Sequence, residues 1–270
     1  IAWRKASSRN LQRQFVGPVL GFVAALMLAL TLGLRGYPLM TIALSGFVLA
    51  TVVQEFGRGV RARMRMHAEN PVTALGRLMS RNRRRYGGYI VHVGVVIYFV
   101  AFTGLAFQEK TAVELVPGES TTMRSPMGHD LTFTYLGTSQ FTQLNRVVSA
   151  ATLQVSRDGT PLGTVVSEKR QHIDSFGRPT FEPSTEVGLK SSLQEDIYVV
   201  YAGTPDGTER AQFSLIINPL VNWFWIGGGV LALGGLLAMW PGGPQIRTRR
   251  RLPSEQAGYA VPLTGAGAGS

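Results

Sequence analysis

The chain has 270 residues, of which 45% are apolar and only 16% are charged, and its mean hydropathy is +0.11. Soluble domains carry about 25% charged residues, so this balance excludes an ordinary soluble domain and a disordered tail. The absence of cysteine excludes disulfides, thiolate metal sites and cysteine nucleophiles, while a formal net charge of +11 indicates nucleic acid or an anionic membrane surface as a partner.

Four apolar runs are long enough to cross a bilayer, which takes about 17–25 residues. Aromatic residues lie near an end of each run, as they do at membrane interfaces. Buried core helices are the alternative, but core helices of this length rarely lack charges. The sequence therefore predicts four membrane spans, at residues 15–34, 37–56, 88–107 and 220–240.

The distribution of arginine predicts the orientation of these spans. Residues 57–87 carry nine arginines against one acid, Glu69, whereas residues 108–218 carry 9 basic and 13 acidic residues. Because cytoplasmic loops are enriched in Lys and Arg, we expect both chain ends and the 57–87 loop in the cytoplasm. Residues 108–218 would then lie in the periplasm of a Gram-negative source. The excess positive charge lies beside the bilayer, so we expect no nucleic acid partner.

Residues 108–218 alternate apolar and polar side chains with a period of two, which predicts strands. Asp158-Gly159 and Asp206-Gly207 are hairpin signals, because glycine tolerates a positive φ. The predicted fold is thus an α-helical integral membrane protein with an inserted all-β extracytoplasmic domain, a sandwich or an open barrel. The predicted strands are residues 131–137, 148–156, 163–170, 196–203 and 211–218.

The remaining segments complete the predicted domain organisation. Residues 1–107 hold three spans, residues 219–240 the fourth, and residues 241–270 a basic, flexible cytoplasmic tail. Within the 57–87 loop, Asn70-Pro71 predicts the start of an amphipathic helix. Its apolar positions, Val72, Leu75, Leu78 and Met79, favour a lipid-headgroup anchor over the alternative, a surface for a cytoplasmic partner. The first residue is Ile1, and we expect a piece of a longer polypeptide.

His92 lies four residues into the third span, and an ionisable residue there indicates a functional site. A neutral histidine bonded to a neighbouring helix is the alternative. Gly88 lies one turn before His92 and Val96 one turn after it, so the three are predicted to share a face. Together with Gly87 and Gly94, Gly88 leaves room for a bulky planar group or another helix. A neutral imidazole in such a slot suits an axial ligand of haem iron.

The other three histidines are weaker candidates. His67 lies in the basic loop, and His129 and His172 lie in turn-like contexts of the β-domain. Each is interpreted as a solvated surface histidine rather than a ligand. None has the spacing of a metal site with another, and no hydrolase, dinucleotide or P-loop motif is present.

The string RNRRRYGGYIVHVGVVIYF at residues 81–99 resembles the signature of the CcmF/NrfE family, the haem lyase subunit of cytochrome c-type biogenesis. Further stretches agree at residues 2–11, 184–203 and 218–238. The resemblance covers nearly the whole chain but only the C-terminal part of that family. The family's tryptophan-rich haem-handling loop, its periplasmic histidines and its other transmembrane histidine lie upstream.

The resemblance implies that His92 is an axial ligand of a haem b within the membrane, and that Gly88 leaves space for haem or for helix packing. The complete protein would receive haem from a haem chaperone in the bacterial inner membrane. It would join the haem vinyl groups to the thiols of Cys-x-x-Cys-His in apocytochrome c, with other maturation subunits and with quinol as a candidate electron donor. This piece alone is expected to be inactive, and no catalytic residue is assigned in it.

Two other classes of function are open. A non-catalytic membrane scaffold whose β-domain docks partner proteins would make His92 dispensable and would bind no haem. A transporter is the weaker alternative, because internal repeats, interrupted helix pairs and acidic residues deep in a span are lacking.

Overall fold

The computed structural model describes residues 8–205 and 208–241, which form five helices and a domain of nine strands. The helices are α1 (Ser8–Thr31), α2 (Gly36–His67), α3 (Pro71–Arg81), α4 (Arg83–Gly104) and α5 (Trp223–Met239). The strands are β1 (Glu109–Leu115), β2 (Ser120–Arg124), β3 (Asp130–Gln143), β4 (Arg146–Arg157), β5 (Thr160–His172), β6 (Ser184–Glu186), β7 (Gly188–Ser191), β8 (Glu195–Gly203) and β9 (Ala211–Pro219). The predicted tail and the Asp206-Gly207 turn lie outside the described residues.

Three helices of the described residues are long and apolar enough to cross a membrane: residues 12–31 of α1, the whole of α2, and α4 with the short turn that follows it. This confirms a membrane protein with a β-rich domain. The fourth predicted span corresponds to α5, which is apolar but, at 17 residues, shorter than the other three. The four-span count therefore stays a prediction.

Pairs of glycines bring the helices into close contact. A Cβ on Gly21 of α1 would lie 2.7 Å from the carbonyl oxygen of Gly46 in α2. In the same way, a Cβ on Gly94 of α4 would lie 2.9 Å from the carbonyl oxygen of Gly227 in α5. Helices in a membrane associate by close packing of small residues rather than by the hydrophobic effect. The glycines thus set two antiparallel pairs, α1 with α2 and α4 with α5.

Helix α3 begins where the sequence predicts. The Asn70 side chain accepts a hydrogen bond from the Thr73 amide at 2.8 Å, and Pro71 occupies the first helical position. Its buried residues are Ala74 and Leu78, whereas Val72 is 80% exposed. The apolar stripe therefore packs only in part against the neighbouring helices.

The β-domain consists of two antiparallel sheets that share one hydrophobic core. One sheet has the order β1-β9-β8-β7 and the other β2-β3-β4-β5-β6. Phe133 and Leu153 enter the core from the second sheet, and Val199 and Leu215 from the first. All five predicted strands lie within observed ones, and the sequence analysis missed β1, β2, β6 and β7.

The domain is inserted between α4 and α5, and its two ends meet. Strand β1, which follows α4, pairs with β9, which precedes α5, so that Glu109 lies opposite Ile217. The Trp223 indole of α5 donates a hydrogen bond to the Leu193 carbonyl at 2.9 Å. This junction fixes the base of the β-domain to the helix pair that carries His92.

Candidate functional site

His92 lies on an exposed face of α4, away from the contact with α5. Gly87 and Gly94 make that contact, since a Cβ on either would lie within 2.7 Å of a backbone nitrogen of α5. His92 is offset from Gly94 by two residues, about 200° around the helix. Its side chain is exposed in this chain, so it reaches toward the space outside the described bundle.

The His92 side chain is held by its own helix. Its Nδ1 lies 2.7 Å from the carbonyl oxygen of Gly88, one turn earlier. A carbonyl oxygen only accepts hydrogen bonds, so Nδ1 carries the proton and the lone pair of the neutral ring is on Nε2. An imidazole whose Nδ1–H is bonded to a backbone carbonyl is in the form in which histidine ligates metals.

Gly88 differs from the other glycines of α4. A Cβ on Gly88 would meet no atom within 4 Å, so the space beside it is open. The expected slot for a planar group therefore corresponds to Gly88, whereas Gly87 and Gly94 leave room for α5. Val96 is only 5% exposed and does not share the open face as predicted. Four residues turn the helix by about 40° more than a full circle. Val96 lies eight residues after Gly88, so it is rotated by about 80° from Gly88 and faces the bundle.

A polar cluster joins α4 to α2 one to two turns before His92. The Glu55 carboxylate accepts hydrogen bonds from the Arg85 guanidinium and, at 3.2 Å, from the Tyr89 hydroxyl. Arg58 also pairs with Glu55, at 3.3 Å. The Phe56 ring packs between these groups, with its centroid 4.9 Å from that of Tyr86. The cluster fixes the arginine-rich end of α4 against α2.

Of the other three histidines, only one has the exposed surroundings expected of it. His67 is exposed at the end of α2, and His172 is half-buried beside Phe181. His129 corrects the prediction of a solvated histidine, because its side chain is only 12% exposed and its Nε2 lies 2.5 Å from the Glu195 carboxylate. The His129 ring thus lies against the buried Glu195 carboxylate rather than in solvent.

Glu195 is a buried acid that the sequence analysis missed. It is 1% exposed, and it accepts hydrogen bonds from Ser125, His129 and Arg157. These partners are 38 to 70 residues away in the sequence, so no local motif could identify them. The cluster lies at the base of the β-domain beside the Leu193 carbonyl that binds Trp223.

The donor set around His92 suits haem better than a bare metal ion. Within residues 8–205 and 208–241, no group of three His, Cys, Asp or Glu side chains could hold a metal ion. Haem iron needs only axial ligands from the protein. Three features of this face fit that requirement: the outward Nε2 of His92, the open space at Gly88 and the exposed ring of Phe99.

Curated relatives of this chain are cytochrome c-type biogenesis proteins. The chain is 30% identical over 162 residues to CcmF of Haemophilus influenzae, covering 58% of this chain and 23% of that protein. It is 29% identical over 182 residues to CcmF of Escherichia coli K12, with coverages of 65% and 25%. It is 24% identical over 253 residues to ccl1 of Rhodobacter capsulatus, with coverages of 88% and 34%. The chain thus spans only 23% to 34% of the length of these relatives.

A solved structure has a similar fold. The chain matches a structure named "Cytochrome c Heme Lyase CcmF" with a TM-score of 0.60 and 22% identity, covering 89% of this chain and 36% of that one. At this identity the likeness concerns the fold alone. No protein-family model matches the chain.

Proposed function

Because this chain belongs to the CcmF/NrfE family of cytochrome c-type biogenesis proteins, we propose that it is part of a membrane haem lyase. In this proposal the complete protein attaches haem to Cys-x-x-Cys-His of apocytochrome c. His92 is an axial ligand of a haem b held within the membrane, and Gly88 lies against that haem.

The His92–Gly88 hydrogen bond is the observation that carries the proposal. It places a proton on Nδ1 and directs Nε2 away from the helix, so that in the neutral ring the lone pair faces outward. When bound, haem b would supply an iron that gains and loses one electron. The glycines of α4 support the ligand, because Gly88 leaves the approach open while Gly87 and Gly94 hold α4 against α5 so that His92 keeps its position.

The same proposal includes an arrangement in the bacterial inner membrane. Both chain ends and the arginine-rich 57–87 loop are cytoplasmic, the 108–218 domain is a periplasmic sandwich of two sheets, and α5 is a fourth span. The arginine distribution supports this orientation. The proposed partners are membrane lipid, a haem chaperone, apocytochrome c, other cytochrome c maturation subunits and quinol as electron donor.

Maturation of a c-type cytochrome in cells that depend on the full-length parent protein tests this function. We expect His92→Ala to abolish covalent haem attachment, since no neighbouring side chain on that face offers a substitute lone pair. His67→Ala is the matched control, because it removes an exposed histidine outside the proposed site. Immunoblots establish equal protein levels. Normal maturation with His92→Ala would refute the proposal.

The second candidate function is a scaffold, and one observation favours it. Three apolar side chains lie exposed in connections of the β-domain, between β3 and β4 and between β5 and β6: Leu144 at 90%, Phe176 at 81% and Phe181 at 74%. Exposed aromatic residues of this kind are typical of docking surfaces. A scaffold would tolerate His92→Ala and lose function when Phe176 and Phe181 are replaced by Ser. The maturation assay with these variants separates the two functions.

A further inference from the structure

Arg85 occupies the same face of α4 as His92. The two residues are seven positions apart, which is about 700° of rotation, or within 20° of two full turns. The separation along the axis is about 10.5 Å at 1.5 Å per residue. The Arg85 side chain is 59% exposed, as His92 is exposed, whereas Tyr86 beside it is buried. The face that presents the imidazole thus also presents a cation near the start of the helix.

Two fixed partners orient the Arg85 guanidinium. Its Nε donates a hydrogen bond to the Tyr89 hydroxyl at 3.2 Å, and its Nη2 donates to Glu55. The guanidinium also lies 5.8 Å from the centre of the Tyr89 ring. A guanidinium carries five N–H donors, so these partners leave capacity for a further carboxylate. Arginine is the residue that binds carboxylates through two parallel hydrogen bonds.

Open space adjoins Arg85 and Tyr89. A cavity of about 320 Å³ lies between α1, α2 and α4, and its lining includes Phe15, Phe47 and Gln54 as well as these two residues. Phe15, Pro18 and Phe47 form the apolar part of its wall, and the polar part is formed by Gln14, Thr51, Gln54, Glu55, Arg85 and Tyr89. A molecule with an apolar body and a polar edge matches this mixed wall, in which Arg85 is the cation and Glu55 its partner.

The geometry of axial ligation connects these observations. The ring of a haem lies perpendicular to the bond between the iron and its axial nitrogen. Because Nε2 of His92 is directed away from α4, a ring bound there extends along the surface of the helix. Its two propionates leave from one edge of the ring. An edge turned toward the start of α4 would bring a propionate within reach of a long side chain two turns from His92.

We propose that Arg85 binds a propionate carboxylate of the haem that His92 holds, and that Glu55 and Tyr89 position its guanidinium for this contact. This inference rests on the proposed function. It assigns to the chain a second contact to the cofactor, which is electrostatic and independent of the iron. A carboxylate at the edge of a membrane needs such a partner, because an unpaired charge is costly to bury.

The test compares haem b with its dimethyl ester, in which both propionates are neutral. The full-length parent protein is purified, depleted of haem and titrated with each compound, and the dissociation constant is read from the absorption spectrum. We expect the unsubstituted protein to bind the ester about 10- to 100-fold more weakly, as for the loss of a charged hydrogen bond. With Arg85→Gln, haem b and its ester should bind equally weakly. Arg85→Lys should retain part of the preference for the free acid, because it keeps a cation.

Two controls address the ion pair and the charge. Arg84→Gln removes the same charge from an adjacent position that is turned by about 100° from Arg85, and we expect wild-type affinities. Glu55→Gln removes the carboxylate that positions the guanidinium but keeps the cation, and should weaken the preference for the free acid without abolishing it. The inference is overturned if Arg85→Gln still prefers haem b over the ester as the wild type does. The positioning role of Glu55 is overturned if Glu55→Gln keeps the full wild-type preference for haem b over the ester.

His92→Ala separates this inference from the proposed function. If His92→Ala binds both compounds with the low-spin spectrum of the wild type, the ligand assignment fails and the Arg85 contact fails with it. If His92→Ala loses the low-spin spectrum with both compounds while the wild type does not discriminate between them, only the Arg85 contact is refuted.

Discussion

The Nδ1 of His92 lies 2.7 Å from the carbonyl oxygen of Gly88, and this contact places a proton on Nδ1 and leaves Nε2 directed outward. The orientation comes from a local backbone acceptor and needs no second helix. Gly88 therefore contributes twice: its carbonyl holds the ring, and the missing Cβ leaves the adjacent surface open. A single helical turn thus contains both the imidazole and the open space beside it.

The glycines of α4 predict opposite responses to alanine. In Gly94→Ala the new Cβ would lie 2.7 Å from the Leu231 amide nitrogen, so the α4–α5 contact must open. We expect a loss of about 1–3 kcal/mol in the free energy of unfolding, as in other overpacked sites. In Gly88→Ala the new Cβ meets no atom within 4 Å. This variant should be at least as stable as the wild type, since alanine favours the helix more than glycine does. Thermal unfolding in detergent measures both, and equal destabilisation would contradict the packing described here.

The turn between α2 and α3 predicts a dependence on pH. Bidentate hydrogen bonds from Arg63, at 2.9 and 3.1 Å, and a further one from Arg77 lower the pKa of Glu69 from 4.5 to about 2. A pKa that is lower in the folded state stabilises the turn above pH 4.5, and this contribution is lost as the pH falls toward 2. Hydrogen exchange of the α3 amides should be faster in Glu69→Gln than in the wild type at pH 7, and the difference should shrink below pH 4.5. A difference at pH 2 as large as that at pH 7 would exclude the carboxylate as its cause.

Glu195 predicts a large loss of stability at the base of the β-domain. Its removal in Glu195→Ala leaves Arg157 and His129 without their buried partner, which we expect to cost about 3–5 kcal/mol. Glu186→Ala is the matched control, because its side chain is 57% exposed and pairs with Arg170 at the surface. Its cost should stay within about 1 kcal/mol. Denaturant unfolding followed by tryptophan fluorescence measures both, with Trp223 beside Leu193 as a reporter of the junction.

The proposed orientation predicts the compartment of two turns. The Glu69-Asn70 turn between α2 and α3 should be cytoplasmic, and the Asp158-Gly159 turn between β4 and β5 should be periplasmic. Reporter fusions at these two positions identify the compartment directly, since some reporters are active only in the cytoplasm and others only in the periplasm. Activity of a cytoplasmic reporter at residue 159 would overturn the orientation derived from the arginine distribution.

The sequence predicts those parts of the fold that local patterns determine. The start of α3 at Asn70-Pro71 and the β4–β5 hairpin at Asp158-Gly159 are confirmed, and the two residues of that hairpin turn have a positive φ, 46° and 79°. The missed strands β1, β2, β6 and β7 lie at the edges of the two sheets. Edge segments are short, exposed and charged, so their apolar and polar residues do not alternate clearly.

Contacts between distant segments could not be predicted in this way. The Glu195 cluster joins residues up to 70 positions apart, and only the folded sheets bring them together. The sequence analysis singled out His92 and Gly88 from their spacing, and its alternative to a ligand was a histidine bonded to a neighbouring helix. The partner is instead the Gly88 carbonyl of the same helix. The role of His92 as a ligand stays a prediction.

The visible absorption spectrum of the reduced, detergent-solubilised full-length parent protein tests the role of His92 most directly. A low-spin haem needs two strong axial ligands, so removal of one changes the spectrum whatever happens to the rest of the protein. We predict that His92→Ala loses the low-spin haem b bands while His67→Ala, purified in equal amount, retains them. Unchanged haem content and an unchanged low-spin spectrum in His92→Ala would contradict the account.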